Sequence, residues 1–173
     1  MRPDISKPRK DEYAPYYETY ISKVNTDDLI EALQKGENEF IQLLQAMPAE
    51  KLDYRYAEGK WSIRELVIHL MDVERIFTYR ALRFSRKDQT PLSGFDDEPY
   101  IAESNASERS LQSLITEYSA LRRSTIEFFR NISSEMSLRT GIANGKEISV
   151  RALAFIIPGH ELHHLGVIRE RYL

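Results

Sequence analysis

Residues 62–77 read SIRELVIHLMDVERIF and carry the pattern that decides the fold, a long helix with one apolar face. Ser62 and Glu65 have the spacing of a capping box, in which each side chain bonds to the backbone of the other residue. An apolar stripe then recurs at helical spacing, formed by Leu66, Leu70, Val73 and Phe77. The pattern continues to about Phe84, so we predict one amphipathic helix from Ser62 to Phe84.

Three further segments of the chain show the same helical periodicity. The first follows the capping residues 25–28 and ends before Pro48. The third helix of the chain is expected to begin at Ser107, and the last helix starts near Ser149 and runs to the C-terminus. Pro158 lies inside that last helix, where a proline removes a backbone donor and is expected to kink or split the helix.

The segments between these helices complete the predicted fold. Residues 1–25 are polar and rich in Tyr and Pro, which predicts an extended N-terminal arm laid over the domain. Residues 86–106 form a long loop after the second helix, and such loops often cover a site. Asn144-Gly145 predicts one small β-hairpin before the last helix. We therefore predict an all-α protein, a four-helix bundle that forms a single domain over residues 1–173.

The composition excludes several classes of protein. The chain of 173 residues contains no cysteine, which excludes a disulfide scaffold, a thiolate metal cluster and a Cys nucleophile. Its formal net charge of −3 provides no basic field for nucleic acid, so we expect no nucleic-acid partner. The sequence has no long apolar run and no secretory signal pattern, which predicts no membrane span and a cytoplasmic location.

The four histidines are the most informative polar residues. His160 and His164 are four residues apart and share one helix face with apolar residues, so both are expected to point at the core. His69 lies at the border of the apolar stripe on the second helix. Three inward imidazoles are costly to desolvate unless each nitrogen finds a partner. One divalent metal ion would satisfy all three and keep open positions for water or substrate, as catalytic sites do.

Two alternatives stay open at this stage. Each histidine can instead be a core residue that bonds to a backbone carbonyl. Residues 160–164 also match the H-E-x-x-H pattern of zinc proteases, in which Glu161 would be the general base. Such proteases need a further ligand, commonly well downstream, and only nine residues follow His164. Glu161 nevertheless remains the candidate catalytic residue for proton transfer.

The second ring N–H of a ligating histidine usually donates a hydrogen bond to an oxygen, so nearby carboxylates are candidate outer partners. Asp72 and Glu65 lie on faces of the second helix next to His69 and are predicted for this role, with a solvated helix face as the alternative. His163 lies on the flank of the last helix and is predicted to lie beside the ligands or at the surface.

Several segments carry a family resemblance, namely GKWSIRE (59–65), HLMDVER (69–75), YRALRF (79–84) and GHELHH (159–164). Together with the arm, the long loop and the hairpin, they make nearly the whole chain similar to the DinB-like, or YfiT-like, family of metal-binding four-helix bundles. The resemblance implies a divalent ion, nickel or zinc above all, on His69, His160 and His164. It also implies a homodimer in many members, and Pro158 departs from the family pattern.

The resemblance implies activities as well. Characterised relatives include S-transferases that use bacillithiol, mycothiol or glutathione, isomerases of the maleylpyruvate type, and proteins described only as metal-dependent hydrolases or damage-inducible proteins. The leading hypothesis is a metal-dependent enzyme that joins a low-molecular-weight thiol to a small electrophile. The alternatives are a hydrolase that uses metal-activated water and a metal-binding stress-response protein without turnover.

The last helix suggests a partner subunit. Phe155, Leu162 and Leu165 lie on the side opposite the histidines, and an apolar stripe there must be buried by this fold or by another subunit. We therefore predict that the protein forms a homodimer.

Overall fold

The computed structural model describes residues 5–173 and forms a helical bundle. Its α-helices are α1 (Glu18–Ile21), α2 (Leu29–Ala46), α3 (Ile63–Ser85), α4 (Asp97–Ala102), α5 (Leu111–Arg130), α6 (Ser134–Ser137) and α7 (Val150–Arg171). The strands are β1 (Thr140–Ala143) and β2 (Lys146–Ser149). The long helices α2, α3, α5 and α7 pack around the core, which confirms the predicted all-α four-helix bundle.

The helix starts follow the local sequence signals. Glu65 N–H donates to Ser62 Oγ over 3.3 Å and Ser62 N–H donates to Glu65 Oε2 over 2.6 Å, so α3 begins with the predicted capping box. The helix α5 differs from the prediction, because Ser110 rather than Ser107 accepts the capping bond. Residues 106–108 form a 3₁₀ turn instead, which delays the start of the helix.

The helix α7 continues through Pro158, so the expectation of a split helix is wrong. Residues 152–161 are all buried, and α3, α1 and α2 surround this stretch. Close packing on all sides compensates for the one backbone bond that the proline removes.

Much of the arm within the described residues 5–25 is helical instead of extended as predicted. Within the described part, residues 10–12 and 15–17 form 3₁₀ turns and α1 follows them; residues 1–4 lie outside the described residues. Burial explains the difference, because short helical turns place the apolar side chains of the arm against the bundle. These side chains are Ile5, Tyr13, Ile21 and Val24.

The loop over residues 86–106 contains α4 and touches the hairpin through a parallel bridge between Leu92 and Ala143. The hairpin itself pairs β1 and β2 antiparallel around Asn144 and Gly145, as predicted. Both turn residues have positive φ, 51° and 71°, which is the conformation of a type I′ turn.

The apolar stripe that suggested a partner is buried by the chain itself. Phe155 and Leu165 are 0% and 1% exposed, and Leu162 is partly buried in both core clusters. The stripe therefore gives no reason for a second subunit, because α7 is the central helix of the bundle. None of the helices within residues 5–173 combines the length and apolar character needed to cross a bilayer.

Candidate metal centre

Three histidine rings from α3 and α7 converge on one point. His69 Nε2 lies 3.1 Å from His160 Nε2, and His164 Nε2 lies 3.0 Å from the same atom. The candidate ligand atoms of the three residues all lie within 4.8 Å of one another. His69 and His160 are buried and His164 is partly buried. The structure thus brings together the three histidines that the sequence selected.

The geometry of these nitrogens fits a shared divalent ion. Two ligands about 2.1 Å from one ion lie about 3.0 Å apart at a right angle and about 3.4 Å apart in a tetrahedron. Burial lowers the pKa of His164 to about 3 and the pKa of His160 well below its usual value. Neutral imidazole is the form that binds metals. An all-imidazole donor set suits zinc, nickel, copper or iron and does not choose among them.

An acidic residue from the long loop stands behind one of the ligands. Asp97 Oδ1 lies 3.4 Å from His69 Nδ1, on the far side of the ring from the converging nitrogens. A carboxylate in this place fixes the ring orientation and the tautomer of a ligating histidine. Sequence reasoning missed Asp97, although the acidic residues at 96–98 in a long loop were a usable signal.

Aromatic residues wall the site on two sides. The ring of Trp61 lies 4.6 Å from the ring of His69, and its Nε1 donates to Glu98 over 3.3 Å. Tyr20 of the arm packs edge-on against His160 and His163, with centroids 5.1 and 5.5 Å apart. The arm and the long loop therefore both reach the site and lower its exposure to water.

The two carboxylates predicted as outer partners both pair with arginines. Glu65 is occupied by the capping box and by Arg55, whose Nη2 donates to it over 2.7 Å. Asp72 Oδ1 lies 3.5 Å from Arg75 Nη1, and its charge also interacts with His69 through space. His163 lies beside the trio with its ring 5.0 Å from that of His164, but it is not part of the converging group.

Glu161 points into the bundle, where both of its carboxylate oxygens accept hydrogen bonds. Tyr118 Oη donates to its Oε1, and Arg122 Nη1 donates to its Oε2 over 2.9 Å. Burial raises the pKa of this carboxyl group, although Arg122 and Tyr118 oppose that effect. Glu74 of α3 is also buried, and it accepts from Arg122 Nη2 over 2.9 Å. The converging group does not include Glu161.

A cleft of about 240 Å³ opens beside His164. Its wall near the site is formed by Tyr56, Lys60, Trp61, Glu98, His163 and His164. Its volume lies just below the usual range for drug-sized ligands, so it suits a small molecule. The aromatic surfaces offer apolar contact, and Lys60 and Glu98 offer one charge of each sign at the rim.

Comparison with known proteins places these features in context. A model described as the DinB superfamily matches residues 32–168. A protein of Oceanobacillus iheyensis, provisionally named a metal-dependent hydrolase, is 26% identical over 153 residues, which cover 85% of this chain and 87% of that protein. YfiT of Bacillus subtilis, named in the same provisional way, is 28% identical over 81 residues, or 46% of this chain and 45% of its own length.

Two solved structures share the fold. The structure of Bacillus subtilis YfiT, described provisionally as a metal-dependent hydrolase with an unusual four-helix bundle topology, superposes with a TM-score of 0.76 at 17% identity. The match covers 95% of this chain and 90% of that one. A mycothiol-dependent maleylpyruvate isomerase superposes with a TM-score of 0.66 at 12% identity, over 85% of this chain and 61% of the isomerase. At these identities the likeness establishes the common architecture.

Proposed function

Because this chain belongs to the DinB superfamily, we propose that it is a metal-dependent enzyme that joins a low-molecular-weight thiol to a small electrophile. The observation that carries the proposal is the convergence of the Nε2 atoms of His69, His160 and His164. The metal-dependent names of the relatives support a divalent ion at this place.

The three imidazoles would hold the ion, with nickel or zinc as the proposed metals. A divalent ion bound there supplies Lewis acidity, which lowers the pKa of a coordinated thiol or water. Asp97 keeps the His69 ring in the orientation that points Nε2 inward. Trp61 and Tyr20 cover the rings and exclude bulk water from the reacting groups.

The cleft beside His164 would receive the electrophile or the body of the thiol. Its aromatic wall favours a small apolar group, and Lys60 at the rim can pair with a carboxylate of either reactant. Asp97 of α4 and Tyr20 of the arm both lie against the histidines, so α4 and the arm would cover the entrance to the proposed active site.

The position of Glu161 favours thiol transfer over hydrolysis of the zinc-protease type. In that type, the glutamate of H-E-x-x-H takes a proton from the attacking water. Here both oxygens of Glu161 are bound by Tyr118 and Arg122, so no carboxylate of the motif faces the histidines. A coordinated thiol needs less help, because binding to a metal deprotonates it.

A hydrolase is the second candidate. The relative that this chain matches over 85% of its length is provisionally named a metal-dependent hydrolase. Glu98 on the rim of the cleft is the described carboxylate best placed to orient a water molecule.

The first experiment measures bound metal in purified protein. We expect about one divalent ion per chain in the wild type and little in His69→Ala and His160→Ala. His163→Ala is the matched control, because it removes a neighbouring imidazole outside the converging group. Equal metal content in the wild type and all three variants would contradict the proposed site.

The second experiment follows consumption of bacillithiol, mycothiol or glutathione with a bimane electrophile. Because the chain has no cysteine, every thiol that is titrated belongs to the added cosubstrate. Metal-dependent conjugate formation that disappears in His69→Ala supports thiol transfer. Ester hydrolysis without thiol would favour the hydrolase, and bound metal without either reaction would indicate a stress-response metal-binding protein.

The homodimer remains a prediction from the family resemblance. Sedimentation at micromolar concentration tests it, and a monomer throughout would contradict it.

A further inference from the structure

A buried ion-pair cluster lies between the helices that carry the three histidines. Arg122 of α5 meets Glu74 of α3 at two points, Nε to Oε1 at 3.1 Å and Nη2 to Oε2 at 2.9 Å. Its Nη1 donates to Glu161 Oε2 of α7 over 2.9 Å and to the Leu33 carbonyl of α2 over 3.0 Å. The side chains of the three charged residues are at most 2% exposed.

The two carboxylates lie on the same helices as the histidines. Glu74 follows His69 by five residues on α3, and Glu161 directly follows His160 on α7. One guanidinium therefore joins both histidine-bearing helices. Its donors form a rigid planar fork, so the bonds hold only for a narrow range of helix positions.

Stability alone is a weak reason for such a cluster. Replacing a buried ionic network with apolar residues of similar volume is often neutral or stabilising. Directional networks of this kind are better known for fixing the register of packed helices.

The helix α2 confines the carboxylate of Glu161 further. At Gly36 of α2, a Cβ atom would lie 2.2 Å from Glu161 Oε2. The absence of a side chain there leaves just enough room for the carboxylate. Glu161 is thus held by Arg122, by Tyr118 and by the backbone of α2 together.

We propose that Arg122 is a positioning residue for the metal centre. By binding Glu74 and Glu161 at once, it sets the position of α3 relative to α7, and so the separation of His69 from His160. Metal sites tolerate deviations of only about 0.2 Å in ligand distance, so a small helix movement reduces affinity. This inference rests on the proposed function, because it needs an ion at the three histidines.

The test uses Arg122→Lys, which keeps the charge but cannot present a fork to two carboxylates. The probe is Co²⁺ alone, whose visible absorption reports the coordination geometry. We expect the affinity for Co²⁺ to fall about tenfold, the size of a loss typical for outer-shell substitutions, and the absorption spectrum to change.

Phe129→Leu is the matched control. Phe129 is a fully buried residue of the same helix α5, and its ring packs against the ring of Phe128. We expect this variant to lose stability while keeping the wild-type affinity and spectrum. A urea unfolding curve for each variant shows that it is folded in the buffer used for the Co²⁺ titration.

If Arg122→Lys does not fold, Tyr118→Phe provides a second test of the same proposal. It removes one hydrogen bond to Glu161 and should shift the Co²⁺ affinity in the same direction, by at least about twofold. A folded Arg122→Lys or Tyr118→Phe protein with wild-type affinity and spectrum would overturn this inference and leave the metal site standing. A wild-type protein that binds no Co²⁺ would overturn the proposed function and this inference with it.

Discussion

Gly159 and Tyr20 lie in direct backbone contact. A Cβ atom at position 159 would lie 2.3 Å from the carbonyl oxygen of Tyr20. The arm therefore reaches the ligand-bearing helix at the residue before His160, and the ring of Tyr20 packs against that histidine. The absence of one side chain makes this wall of the metal centre possible.

Gly159→Ala should push the arm away from α7. We expect the free energy of unfolding to fall by roughly 1–3 kcal/mol, the usual cost of overpacking, as measured by urea denaturation. Gly166→Ala is the control on the same helix, because a Cβ atom at that position would meet no other atom within 4 Å among the described residues. The free energy of unfolding of that variant should rise by up to about 1 kcal/mol, since alanine is more favourable than glycine in a helix interior. If Gly159→Ala and Gly166→Ala changed the free energy of unfolding equally, the close contact between Gly159 and Tyr20 would be contradicted.

Asp97→Asn should weaken metal binding. Loss of the carboxylate behind His69 removes the group that orients this ring, and we expect the affinity for Zn²⁺ to fall by about 10–100-fold in chelator competition. Asp72→Asn is the informative control, because Asp72 pairs with Arg75 and interacts with His69 only through space, so this change should lower the affinity much less than Asp97→Asn does. The reverse result would restore the sequence-based choice of Asp72.

Acid should loosen the contact between the arm and α7. Burial alone would raise the pKa of Glu12, but bonds from Arg151, the Arg9 backbone and Ser149 outweigh it and leave the pKa lowered. Because the folded pKa lies below the unfolded one, the ionised carboxylate stabilises the fold above about pH 4.3, and this contribution disappears as the pH falls through the folded pKa.

The variant Glu12→Gln isolates that contribution. At pH 7 it should be less stable than the wild type by roughly 1–2 kcal/mol, and the difference should shrink below about pH 4 in urea titrations. Asp11→Asn is the control, since Asp11 is 71% exposed and pairs with Arg9 at the surface. A difference between Glu12→Gln and wild type that stays constant down to about pH 3 would count against this assignment.

Tyr118→Phe should destabilise the core without changing its volume. The hydroxyl donates to a buried oxygen of Glu161, and leaving that oxygen without a donor costs roughly 1–3 kcal/mol. Tyr79→Phe removes a hydroxyl from a side chain that is 50% exposed and should change the free energy of unfolding by less than about 0.5 kcal/mol. Differential scanning calorimetry of the wild type, Tyr118→Phe and Tyr79→Phe compares their stabilities. Equal losses in the two variants would contradict the role given to the Tyr118 hydroxyl.

Local sequence is sufficient to predict most of the helices and to select the three histidines as candidates. Helix starts depend largely on caps within one turn, so local sequence places the start of α3 at Ser62 and Glu65. The start of α5 was misplaced by three residues, because residues 106–108 form a 3₁₀ turn before it. The period of the helix likewise puts His160 and His164 on one face, and the apolar stripe on the second helix indicates which way His69 turns. These features need no knowledge of distant residues.

Which acidic residues lie near the three histidines depends on how distant parts of the chain pack together. Asp97 lies next to His69 because the long loop folds back as α4. Asp72 and Glu65 are closer to His69 along the chain, but they pair with Arg75 and Arg55. Glu161 satisfied a motif in the sequence but is bound to Arg122, 39 positions away. Polar partners across the bundle depend on how whole helices pack, and that packing minimises the total cost of burial rather than following spacing along the chain.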